Sequence, residues 1–590
     1  MRKLALAVMA VALIGAGACD GSEEPAAHAQ QSDAAGDSAT IVDAVAPDAD
    51  AATGSDAAAN PDYGPAPVAA ALPATARPPQ RFLGPADQLT GDGVSSCSNG
   101  ETGPVVPAGP AHRWCAFSRP GPQPDLAELW VIDVTLAAMG QLPACDGTAS
   151  GCIRLTSTLW TSSPLGGPSH PFSHRFDGDT LIYYADAEAL GPQDLHRGPV
   201  YAWRSGWTAP RPLTSATGLQ CFAHARRPLV FCLDDVRGNP MHPDSFEIRA
   251  GSVAEPPSAP LPSLGRLRPY LPDGQVAWHA AFSPDGDTFA MSSPDPDPAV
   301  ESLRVVATAT IGQQLAREVL RGLTGWSIAH DGKRIYFFRP EGTVPDERAL
   351  FAADFPEGTA LAQLGSKVRD YLLLGQGPAD DGTAFLATVS EDRGAFRFLR
   401  NSRAPAELVT LFTYRDMLEG VRMSDDLRYT AWLDAGFNAR VVRHSDFGTC
   451  RLKAYVKRAA FDPLFSAHAG LVFWGEDADD NADYRDGFIA RPDDCGGLKK
   501  FAERLGNYQP VGDAGLVYTD EAKPSRQMSL KYAPMSKTSA GWDLGPPVRV
   551  ADGVDEGYFT VIGSTAPTRL LLWKSSGPAG GTFVFPDLPF

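Results

Sequence analysis

Ten times between Arg113 and Asp587 the chain runs a short apolar strand, turns on Asp, Gly, Asn or Pro, and follows with a second apolar strand. The pairs are Trp114 to Ser118 with Leu129 to Val134, Thr180 to Ala185 with Val200 to Arg204, Leu229 to Leu233 with Phe246 to Ala250, and Asp287 to Ser292 with Leu303 to Ala307. Arg334 to Phe338 with Leu350 to Ala353, Ala384 to Val389 with Phe396 to Leu399, and Arg428 to Leu433 with Arg440 to Arg443 continue the series. It ends with Leu471 to Trp474 and Phe488 to Ala490, Leu516 to Thr519 and Met528 to Tyr532, and Arg569 to Trp573 and Thr582 to Phe585. A mean spacing of about 50 residues lies in the range of propeller blades of four strands each.

Runs such as Leu181-Ile182-Tyr183-Tyr184, Ile335-Tyr336-Phe337-Phe338 and Leu471-Val472-Phe473-Trp474 are apolar at every position. A sheet with one wet face would alternate, so both faces of these strands must be covered. Radially stacked blades supply that cover. The fold class expected is therefore all-β, a β-propeller. Because propellers mostly carry four to eight blades, one ring of seven or eight is expected, with some of the ten hairpins sharing a blade or lying outside it; the alternative is two smaller assemblies.

The tight turns before the first strands, such as Phe176-Asp177-Gly178, Pro284-Asp285-Gly286, His330-Asp331-Gly332 and Asp380-Asp381-Gly382, use residues that tolerate unusual backbone angles. At Phe282-Ser283-Pro284-Asp285-Gly286 and its fainter copies the chain resembles the WD40-like, TolB-type β-propeller repeats of secreted bacterial proteins. The resemblance covers most of residues 95–590, but only the copy at 281–291 is close. It is lost at Ala223-His224-Ala225-Arg226 and across Pro463 to Gly470.

The N-terminus reads differently. Met1-Arg2-Lys3, the apolar stretch Leu4 to Ile14, and Gly15-Ala16-Gly17-Ala18 before Cys19 make a secretory signal over residues 1–18. It resembles a bacterial lipobox, with Ala16 where Leu is commoner. That resemblance implies lipid on Cys19 and localisation at the cell envelope, facing periplasm or exterior. Residues 19–80 are rich in Ala, Asp and Pro and too poor in large apolar side chains to fold, so they are expected to be a disordered tether. The propeller is expected over 95–590.

Set Cys19 aside and eight of the nine cysteines remain, an even number for an oxidising compartment. Proximity suggests Cys97 with Cys115, Cys145 with Cys152, Cys221 with Cys232 and Cys450 with Cys495, among the 105 connectivities eight cysteines allow. None of these has CxxC spacing, which favours a structural role.

Net charge is −19, yet ten acids and no Lys or Arg fall between Asp20 and Ala76. With those acids and Arg2 and Lys3 removed, 49 basic and 60 acidic side chains leave −11 on the remainder. A surface of that sign repels phosphate backbones, so nucleic acid is not an expected partner.

No GxSxG elbow, HExxH helix, P-loop or GxGxxG turn occurs, and no catalytic residue is assigned. Asp477, Asp479, Asn481 and Asp483 place oxygens at alternate positions of one loop, a weak calcium pattern, because Tyr484 and Ala490 stand where an EF-hand needs Gly and Glu. No metal or cofactor is otherwise expected. His224, His279, His330 and His468 recur beside turns, where a ring nitrogen hydrogen-bonds a neighbouring turn. Trp130, Trp203, Trp432, Trp474 and Trp573 fall in strands and read as core.

These features favour a lipid-anchored, non-enzymatic propeller that binds an envelope protein or glycan. The rivals are a lyase or hydrolase with its site in the central channel, and a purely structural surface lipoprotein.

Overall fold

In the computed structural model the described residues run from 65 to 585. They are interrupted by 88–113, 137–144, 161–173, 185–198, 268–278, 342–347, 374–384, 400–407, 415–420, 478–484, 521–526, 563–569 and shorter gaps. Cys19, Cys97, Cys495, Asp479, Asn481 and Asp483 lie outside the described residues.

All ten sequence-derived hairpins form in antiparallel sheets, eight of them each in a sheet of its own and the last two within one eight-stranded sheet. Among the described residues blade one covers 114–160, two 174–212, three 220–267, four 280–323 and five 326–365. Blade six covers 368–414, seven 422–453 and eight 464–502. Blades nine and ten share the strand Val548–Ile562, whose first half pairs with Gln527–Thr538 and whose second half pairs with Leu570–Ser575. The chain is a β-propeller, and among the described residues its ten hairpins fall in nine sheets because the last two share one; seven or eight blades were expected, with some hairpins sharing a blade. Eight hairpins have a sheet of their own because each has its own flanking strands, down to the two-residue strands Arg211–Pro212 and Arg422–Met423, whereas the last two share Val548–Ile562.

Closure uses the two ends of the described chain. Gln80–Leu83 adds to blade ten as its outer strand, with Gln80 opposite Val584 and Arg81 opposite Phe583. Phe82 and Leu83 then pack with Val584 against Cys115, Phe117, Trp130 and Ile132 of blade one. Further apolar clusters join blades one, two and three, three and four, four and five, and five and six. Others join seven and eight, eight and nine, and nine and ten. The circuit is thus continuous from blade seven through ten and one to six; of blade six itself, only Val368 has a described side chain.

Burial follows the same logic. Tyr429–Leu433 and Gly515–Asp520, both second strands, are buried at every position, whereas the outer strand Ser263–Leu267 is largely exposed. Trp130, Trp203, Trp432, Trp474 and Trp573 are all buried. A fully buried Phe contributes roughly 1.5–3 kcal/mol, so the aromatic residues packed between blades contribute substantially to stability.

The Ser-Pro-Asp-Gly turn shows how blades lock. Ser283 Oγ donates to Asp285 Oδ1 (2.5 Å), which also accepts from Asp287 N–H (3.0 Å), and Gly286 takes φ +75°. From blade three, His224 Nδ1 accepts from Arg227 N–H (2.9 Å), leaving Nε2–H to donate to Ser283 O at 3.0 Å. The third copy departs from the repeat because its His224 serves the fourth copy's turn, the role expected of histidines at these positions. His330 and His468 are outside the described residues.

Candidate functional site

Several charged groups are paired within or between blades. Lys531 pairs with Asp520 inside blade nine at 2.7 Å, both buried. Asp234 of blade three accepts from Arg249 Nε (2.5 Å) and from the N–H and hydroxyl of Ser215 beside blade two (2.9 and 2.8 Å). Burial raises the Asp234 pKa, yet the Ser215 and Arg249 bonds more than offset it and hold the carboxyl below its usual range. At the first strands of blades seven to nine, Arg422 pairs with Asp462 (2.9 Å), whose carbonyl accepts from the Tyr508 hydroxyl (2.5 Å). The Tyr508 pKa is raised, first by burial and then by the Asp462 charge.

In blade four, buried Ser292 donates to Glu301 and accepts from Trp326 Nε1 (2.9 Å) and from His279 N–H (3.2 Å). His279 Nδ1 stands 3.7 Å from Glu301 Oε1. The serine hydroxyl points at the carboxylate rather than at the imidazole, so these residues form a polar knot and not a nucleophile–base pair.

Among the described residues an open concavity lies at the seam of blades two and three. It has a volume of about 450 Å³, walled by Arg204, Ser205, Trp207 and Thr208 on one side and by Ala254, Glu255 and Pro256 on the other. Its shape follows from two chain reversals. After Val200–Arg204, Gly206 at φ +88° turns the chain so that Trp207 N–H returns to Arg204 O (3.0 Å) and the indole is buried. Across the seam, Val253 N–H is held by Pro228 O (2.7 Å), and Val253 O accepts from Arg204 Nη1 (3.2 Å).

Arg204 Nε is buried and has no hydrogen-bond partner among the described residues. Burial lowers the guanidinium's pKa and Asp179 partly restores it, and Asp179 is raised by its own burial. A buried N–H donor without an acceptor costs about 1–3 kcal/mol. The seam was missed in the sequence; its one linear signal was a Trp just past a strand beside Gly206.

Of the residues singled out in the sequence, Cys145–Cys152 and Cys221–Cys232 are disulfides, with Cα–Cα separations of 5.2 and 4.0 Å. Cys115 and Cys450 are also disulfide-bonded; their expected partners Cys97 and Cys495 lie outside the described residues. Asp477 ends the strand Leu471–Asp477 opposite Arg485, while the other three calcium candidates are outside the described residues. Among the described residues no group of three or more His, Cys, Asp or Glu is placed to hold a metal. His174 is buried in the first strand of blade two, and His170 is outside the described residues.

The fold and this seam define a β-propeller with a cross-blade groove. No known family profile and no curated protein matches the chain. Among solved structures it is similar to a eukaryotic initiation factor, at 10% identity over 72% of this chain and 96% of that one, TM-score 0.40. The β-propeller domain of the Trilobed protease from Pyrococcus furiosus matches at 10% identity over 56% and 94%, TM-score 0.27. TolB from Acinetobacter baumannii matches at 11% over 55% and 82%, TM-score 0.25.

Proposed function

We propose that this chain is a non-enzymatic binding propeller of the bacterial cell envelope, held to a membrane by lipid on Cys19, and that its partner is an envelope protein. The partner would place an acidic side chain against Arg204 in the seam between blades two and three. The observation that carries this reading is the Arg204 side chain in the wall of an open groove of about 450 Å³. Arg is suited to that task because its planar fork matches a carboxylate. Ser205 and Thr208 add hydroxyls beside it.

The test is in-cell photocrosslinking from Thr208 in the full chain. A discrete protein adduct that weakens at least tenfold in Arg204→Ala supports the reading. A glycan adduct, or a protein adduct indifferent to Arg204, overturns it. The anchor is tested separately by Cys19→Ser and detergent partitioning, where the variant should leave the detergent phase.

A further inference from the structure

Blade four gathers three polar side chains on the face it turns toward blade five. His279, just before the first strand, stands opposite Ser292, whose N–H donates to His279 O at 2.7 Å. Ser292 is opposite Leu303, which lies two positions beyond Glu301 in the next strand. Side chains opposite one another or two positions apart share a face, so the register alone sets His279, Ser292 and Glu301 side by side.

The hydrogen bonds among them are unequally shared. The Ser292 hydroxyl donates to Glu301 Oε2 and accepts from Trp326 Nε1 of blade five at 2.9 Å. Glu301 Oε1 and His279 Nδ1 are both buried, and neither has a hydrogen-bond partner among the described residues. The Glu301 side chain is 3% exposed, and among the described residues its ion-pair partner is His279. A buried carboxylate is costly unless an opposite charge accompanies it.

These two atoms stand 3.7 Å apart, which restricts what can join them. The separation is too long for a direct hydrogen bond, which needs about 2.7–3.2 Å. It is too short for a bridging water, whose two bonds at a near-tetrahedral angle hold the outer atoms about 4.5 Å apart. Zinc bonds imidazole nitrogen at about 2.0–2.1 Å and carboxylate oxygen at about 2.0–2.2 Å, so its two ligand atoms stand about 3.4 Å apart at the tetrahedral angle and up to about 4.2 Å at wider ones. The observed separation falls inside that range. The surroundings also suit a metal-bound carboxylate, because its second oxygen is held by Ser292, itself fixed by Trp326 Nε1 and the His279 N–H (3.2 Å).

We propose that His279 Nδ1 and Glu301 Oε1 bind a divalent transition-metal ion of the zinc class. Among the described residues no third His, Cys, Asp or Glu joins them, so water completes the coordination, and the 29% exposure of the His279 side chain gives it access. A nitrogen ligand beside a carboxylate selects such an ion over calcium or magnesium, which take oxygen. The site lies in blade four and does not depend on the partner proposed for the Arg204 groove.

Calorimetric titration of the full-length protein with zinc chloride, in parallel with His279→Ala and Glu301→Gln, tests this. The parent should bind one equivalent that each variant binds at least tenfold more weakly, while zinc held elsewhere, as on the acidic residues 20–62, is common to all three. Equal isotherms overturn the site, and so does a loss confined to one variant, because both ligands are required. Near-ultraviolet circular dichroism checks that each variant is folded. If Glu301→Gln does not fold, cobalt(II) absorption decides: visible bands in the parent that are lost in His279→Ala support the site, and bands equal in both, or absent from the parent, overturn it.

Discussion

Lys453, in the outer strand of blade seven, is ion-paired with Glu476, in the second strand of blade eight, with both side chains buried and Nζ 4.0 Å from the centroid of the Phe488 ring. The pair crosses a seam otherwise made of Phe465, Val472, Trp474 and Phe488. A charge in that setting is tolerated only with its partner. Lys453→Met alone should cost about 3–5 kcal/mol in chemical denaturation, by stranding the carboxylate. Lys453→Met/Glu476→Leu should recover most of that loss. Equal stability of the single and double variants would show that the pair does not bridge the blades.

His174 gives the ring a titration below neutrality. Burial lowers its pKa to about 4 from 6.5. Between those values the unfolded chain binds the proton and the folded chain does not, so stability falls as pH drops through that window and levels off below it. The loss is about 3 kcal/mol at 1.36 kcal/mol per pKa unit. Denaturation midpoints measured from pH 7 to 4 should fall less steeply in His174→Gln than in the parent, and parallel curves would refute the assignment.

Ring closure depends on a small apolar contact between distant parts of the chain. Leu83 is 3% exposed between the last and first blades. Leu83→Ala should destabilise by about 2–5 kcal/mol, and Leu83→Asp should be worse because it buries an unpaired charge. Hydrogen exchange should then show blades ten and one opening first. Uniform loss of protection around the ring would contradict closure at this seam.

Cys221 and Cys232 face each other across the first two strands of blade three. The pair closes a short loop, sequence separation 11, and replacing both with Ala should remove about 3 kcal/mol on the loop-entropy scale. Thermal melts of the double variant against the oxidised parent test this. The blade should persist in the variant, because Phe222, Phe231 and Phe289 still pack around it.

The repeat was legible because its signals are local. Strand pairs such as Ile335 to Phe338 and Leu350 to Ala353 lie within about 20 residues, and the turn chemistry between strands acts over four or five. All ten hairpins, the buried tryptophans and two disulfides could be read that way. The number of blades could not, since whether two hairpins share a sheet depends on flanking strands as short as Arg422–Met423. Composition likewise suggested a tether through residue 80, and nothing in Pro65 to Ala76 signals that Ala70 pairs with Val548 of blade nine.

The sequence by itself determined an all-β chain of repeated strand pairs, because apolar runs and turn residues act on near neighbours. Only the tertiary structure decided that the last two hairpins share one sheet, that Gln80 meets Val584, and that Arg204 lies at an open seam. Those outcomes rest on contacts between residues far apart in the chain. Such contacts are selected by packing and main-chain hydrogen bonding, which many sequences satisfy equally and which leave little trace in residue order.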